Sequence, residues 1–168
     1  MRARQILIAI PLIFSFGFQA KDLVSFNDLL IVKSAKLEMI NGFMTEKGFA
    51  YKGKIDKDEN GWTVHTWSFK NGQSWFEWRT QLMYNDQTRK VDELTAITYY
   101  TTLKNEFDNL ISQMTRRGME IKSSRIDKDG FDSTLYMGTG SLEEQMNIVV
   151  AGQSNNYRGA SAYRFQFI

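Results

Sequence analysis

Two short phrases recur in this chain in the same order, and recurrence at a nearly fixed spacing constrains a fold more than composition does. Met44-Thr45-Glu46-Lys47-Gly48-Phe49 is echoed 70 residues later by Met114-Thr115-Arg116-Arg117-Gly118-Met119. Ile55-Asp56-Lys57-Asp58 returns as Ile126-Asp127-Lys128-Asp129, now 71 residues on. The change of offset predicts one inserted residue between the blocks, most simply a bulge in a strand. A duplicated structural unit accounts for both echoes.

Each copy opens on a helical period. Leu103, Phe107, Leu110, Ile111 and Met114 line one face of a helix in the second copy, and Leu37, Ile40, Phe43 and Met44 do so in the first. Leu29, Leu30 and Val32 mark a short helix before them. Gly48 and Gly118 follow basic residues and suit helix C-termini, so neither needs a functional explanation. The period then becomes two. Strands are expected near 49–56, 62–70, 73–84 and 93–101, and again near 119–127, 132–138, 143–152 and 157–167. The expected fold is α+β: two tandem units, each a helix followed by a four-stranded antiparallel meander, with helices on one face of the sheets and the other face open. The first unit spans 21–101 and the second 102–168, in one domain.

Residues 1–20 read as a removable export signal, because Arg2 and Arg4 precede an apolar run from Ile6 to Phe18 and small Ala20 follows. That run is short for a membrane span, although Phe18 is bulky for its place before the cut. No membrane span is expected after signal removal. The sequence has no cysteine, so its stability comes from a core, and the expected location is periplasmic or secreted. Taking Arg2 and Arg4 from the 21 basic residues leaves 19 against 19 acidic ones. A neutral chain without a basic run argues against nucleic acid as a partner. The single proline, Pro11, also lies in the signal, which leaves no rigid linker between the halves.

Asn71-Gly72 is a strong hairpin signal and fixes a register. Phe69, Trp67, His65 and Thr63 then oppose Ser74, Phe76, Trp78 and Thr80, an aromatic-rich set expected in the core. On the other face Ser68 opposes Trp75, Thr66 opposes Glu77, Val64 opposes Arg79 and Trp62 opposes Gln81. Two tryptophans beside a charged pair have the composition of a binding face, although exposed aromatics can also simply cap an edge. In the second unit Ile148, Val150, Tyr163, Phe165 and Phe167 are expected in the core, with Tyr136, Asn147, Arg164 and Gln166 outward. The candidate binding residues are therefore Trp62, Trp75, Glu77, Arg79, Tyr136 and Arg164.

Motifs for catalysis are sparse. Asp56 to Gly61 begins like a calcium loop, but Trp67 stands where a bidentate glutamate belongs, and a polar hairpin turn explains the segment. His65 is the only histidine, so no multi-histidine metal site exists, and opposite Trp78 it reads as structural. Glu77, Asp92, Glu93 and Asp132 have no spacing that singles out a carboxylate pair. Gly138-Thr139-Gly140-Ser141 lacks the lysine of a phosphate loop. No catalytic residue, cofactor or metal is expected.

With two helix-plus-four-strand units joined closely from Tyr99 to Leu103, the layout over residues 25–168 resembles the beta-lactamase-inhibitory-protein-like fold. The resemblance is one of layout and carries no residue roles onto this chain. It implies a concave sheet surface, formed by both units, that grips another protein. The expected function is thus an exported, non-enzymatic protein that binds an unknown protein of the envelope or extracellular space, as an inhibitor or immunity-type protein. The alternatives are a small-ligand or glycan binder and a structural envelope component.

Overall fold

The computed structural model describes residues 23–139, 148–157 and 160–167. The expected export signal, Asn147, and Gly140 and Ser141 of the glycine-containing segment lie outside the described residues. In chain order the elements are α1 (Phe26–Lys33), α2 (Leu37–Glu46), β1 (Ala50–Ile55), β2 (Thr63–Phe69), a single 3-10 turn (Lys70–Gly72), β3 (Ser74–Asn85) and β4 (Lys90–Thr101). They continue with α3 (Lys104–Arg116), β5 (Met119–Ile126), β6 (Asp132–Gly138), β7 (Ile148–Tyr157) and β8 (Ala160–Phe167).

All eight strands form one antiparallel sheet in the order β1-β2-β3-β4-β8-β7-β6-β5. The two meanders meet through their last strands, Tyr99 of β4 opposite Phe165 of β8 and Tyr100 opposite Arg164. Helices begin and end where local chemistry stops competing with them. Ser25 caps α1 in a reciprocal box, its hydroxyl accepting from Asp28 N (3.1 Å) and its own N–H donating to the Asp28 carboxylate (2.8 Å). Gly48 and Gly118, at φ +84° and +79°, take the left-handed conformation that closes α2 and α3, where a side chain would strain the backbone.

Cross-strand pairs share a face, so the register sorts the side chains. One face, called here the core face, carries Trp67, Phe76, Tyr99, Phe165 and Ala151 in one row across five strands. A second row holds Trp78, Ile97, Phe167 and Val149. These residues form one buried cluster with Leu29, Val32, Ile40, Met44, Leu110 and Met114 of the helices. Burying each such side chain contributes roughly 1.5–3 kcal/mol.

The register around Asn71-Gly72 is as the sequence indicates, from Thr63 opposite Thr80 to Phe69 opposite Ser74. Two other expectations are corrected. Ser154 to Asn156, which fall between the expected strands 143–152 and 157–167, belong to β7. Val149 and Ala151, not Ile148 and Val150, face the core. A bulge occurs in both β1 and β5, at Lys52 between Tyr51 and Gly53 and at Lys122 between Ile121 and Ser123, so it is not the expected insertion.

Candidate functional site

Along the face opposite the core, one row of paired residues runs Ser68, Trp75, Tyr100, Arg164, Gly152, Ser133, Arg125 across β2 to β5. The next row runs Thr66, Glu77, Thr98, Gln166, Val150, Leu135. Hairpin loops from both outer edges of the sheet, the β1–β2 loop at Asp58 and the β5–β6 loop at Asp127, border a single concavity of about 1110 Å³ above these rows. The sheet therefore curls toward this side.

The two loops are built alike. The Asp58 N–H donates to the Trp62 carbonyl (2.8 Å) and Gly61 N to the Asp58 carbonyl (2.9 Å). The Asp127 N–H donates to the Phe131 carbonyl (2.9 Å) and Gly130 N to the Asp127 carbonyl (3.0 Å). In each loop one aspartate oxygen also accepts two backbone N–H bonds, from Asn60 and Trp62 in the first and from Asp129 and Phe131 in the second. Asp58 thus corresponds to Asp127, not to Asp129 as the sequence echo suggests. Such side-chain-to-backbone bonds are what make aspartate a loop former.

The other oxygen of each aspartate meets an arginine. Arg79 Nη1 lies 4.0 Å from Asp58, while Arg79 Nη2 donates to Glu77 at 2.7 Å. Arg164, only 4% exposed, donates to Asp127 and to Asp129 (3.2 Å), and its ring-side contact is Phe131, 4.3 Å from the guanidinium. Ser133 donates to the same Asp127 oxygen at 3.0 Å. Burial alone would raise the Asp127 pKa, but the Phe131 N–H, the Arg164 guanidinium and the Ser133 hydroxyl outweigh it and hold the carboxyl below its usual range. Burial likewise opposes the charge on Arg79, and the Glu77 carboxylate overrides it, pushing the pKa up.

A glycine makes the second pairing possible. Gly152 lies between Arg164 and Ser133, and a Cβ built there would stand 2.7 Å from Ser133 Oγ and 3.2 Å from Phe131 Cβ. Phe131 folds back over this gap and forms a small second core with Tyr100 and Ala162. Trp75 packs against it, stacked on Tyr100 at 4.6 Å and 11°.

The structure brings most of the sequence-chosen residues to this face, in differing roles. Trp62, Arg79 and Arg164 line the large concavity. Trp75, Glu77 and Arg79 line a neighbouring hollow of about 690 Å³. Glu77 and Arg164 are buried, so they hold neighbours and do not project. Tyr136 does not join them: it pairs with Val149 on the core face and is buried there. Trp62 precedes β2 and has no strand partner, and the Gln81 side chain instead donates to the Asn60 carbonyl at 3.2 Å. Sequence reasoning missed Asp127, Phe131, Tyr100 and Gly152. Their available signals were the Asp-x-x-Gly spacing and a glycine inside an apolar strand, which marks close approach.

The floor of the concavity includes half-buried Leu135, Ile148 and Val150, and its rim carries exposed Glu59, Arg125, Lys128 and Asp129. Thr98, Ser133, Arg164 and Gln166 share that floor, so the hollow presents a mixed apolar and polar surface inside a charged rim. Among the described residues, no group of three or more histidine or acidic side chains is placed to hold a metal ion. Among them, too, no helix is long and apolar enough to cross a membrane. No protein-family model, curated protein or solved structure matches the chain.

Proposed function

We propose that this chain is an exported, non-enzymatic protein that binds another protein in the concavity between the Asp58 and Asp127 loops, as an inhibitor or immunity-type protein of the periplasm or extracellular space. The observation that carries the reading is that loops from opposite edges of one sheet rim a single hollow whose floor sets Leu135, Ile148 and Val150 beside polar Thr98, Ser133 and Gln166. An inserted loop of a partner would cover Leu135, Ile148 and Val150, while Glu59, Arg125, Lys128 and Asp129 would set its orientation.

In this reading residues 21–101 and 102–168 are two copies of one unit, with all three helices against the core face and the shared opposite face left for binding. The congruent loops at Asp58 and Asp127 support it, as do the matching bulges at Lys52 and Lys122. A sugar-binding role is less well supported, because one broad face of Trp75 is taken up by its stack on Tyr100.

The test is recovery of partners from an envelope extract, with the wild-type protein, Trp62→Ala and Lys128→Glu as baits. Both variants lose the specific partner, whereas Met39→Ala, at an exposed site on α2, keeps it. Equal recovery by all four baits would remove the reading.

A further inference from the structure

Beyond the concavity, β3 and β4 form an arm. They pair over their full length, from Ser74 opposite Thr101 to Asn85 opposite Lys90, but β2 follows β3 only as far as Thr80 and β8 follows β4 only as far as Ile97. The stretch from Gln81 to Leu94 therefore continues without a neighbouring strand. A two-stranded ribbon with both faces in water is marginal, and this one exposes large apolar side chains: Leu82 (71% exposed), Tyr84 and Val91 lie on one face, Met83 and Leu94 on the other.

Its edges differ from those of the sheet. Lys52 on β1 and Lys122 on β5 stand exposed at bulges, the usual protection of an edge against pairing. The β3 edge of the arm, Gln81-Leu82-Met83-Tyr84-Asn85, has neither charge nor bulge. The β4 edge carries Lys90, Asp92 and Glu93.

We propose that the arm is a self-association element, in which the β3 edges of two copies pair antiparallel about a two-fold axis at Met83. Side chains keep their faces only in a register that sets residues of equal parity opposite each other. Centred on Met83, that register places Leu82 of each copy opposite Tyr84 of the other, clustering four exposed apolar side chains, and Gln81 opposite Asn85. No like charges meet. The same operation on the free β4 edge, centred on Asp92 opposite Met83, sets Asp92 against Asp92, which is unfavourable. An edge of this length falls at the small end of stable interfaces, so the association depends on protein concentration.

Sedimentation velocity of the protein as the cell processes it tests this over a concentration series. Wild type shifts from monomer to dimer as concentration rises, and Met83→Lys, which puts two ammonium groups at the axis, weakens the dimer about tenfold or more. Glu93→Lys, on the other edge, leaves it unchanged. A second variant gives an independent reading: the chain has no native cysteine, so Met83→Cys cross-links only copy to copy under oxidation. A paired register brings the two Cα atoms within disulfide reach. Wild type that stays monomeric, a dimer indifferent to Met83→Lys, or a Met83→Cys protein that does not cross-link at a concentration where wild type is dimeric, would each overturn the proposal.

Discussion

Arg164 of β8 reaches over Gly152 of β7 to the carboxylate of Asp127, which it binds beside Ser133 and against the ring of Phe131. The pair crosses an intervening strand and ties the β5–β6 loop down onto the sheet. This is the contact that gives the far wall of the concavity its place.

Removing one partner from a pair this enclosed exposes the desolvation cost of the other, so Asp127→Ala is expected to destabilise the fold by ~3 kcal/mol. The pH dependence has a definite sign. The folded Asp127 pKa lies below its ordinary value of 3.8, so its stabilising contribution is full above that value and is lost as pH falls through the folded pKa. The urea midpoint gap between wild type and Asp127→Asn should therefore be constant from pH 7 to about 5 and close below pH 4. A gap that stays constant to the lowest pH at which both fold would refute this.

Gly152→Ala places a methyl group against Ser133 Oγ and Phe131 Cβ and should cost ~1–3 kcal/mol. Gly152→Ala combined with Ser133→Ala should cost less than the two changes summed, because the closest clash is with the hydroxyl. Thermal melts of the four proteins of this cycle give the coupling directly.

Core and arm should respond oppositely to truncation. Leu110, fully buried, is expected to cost ~2–5 kcal/mol as Leu110→Ala. Leu82→Ala should change the monomer's stability by under ~0.5 kcal/mol despite removing the same atoms, because Leu82 is mostly in water. Denaturant titration at low protein concentration separates the two.

Much of this was legible in the residues where period and turn chemistry agreed. Asn71-Gly72 set the β2–β3 register residue by residue, and Gly48 and Gly118 marked the ends of α2 and α3. Legibility failed at Ile148-Val149-Val150, a continuous apolar run that offers no alternation by which to choose a face. Tyr136 pairs with Val149, so an inverted choice of face at that run inverts Tyr136 as well. The loop aspartates were visible only as turn formers. That their second oxygens meet Arg79 and Arg164 depends on curling of the whole sheet, which no local pattern encodes.

The concavity is tested most directly by hydrogen–deuterium exchange on the protein alone and with its captured partner bound. The account predicts slowed amide exchange in the partner-bound state at residues 58–62 and 123–129, on both rims together, with α2 unchanged. Protection confined to α2, or to one rim with the other exchanging as in the free protein, would contradict it.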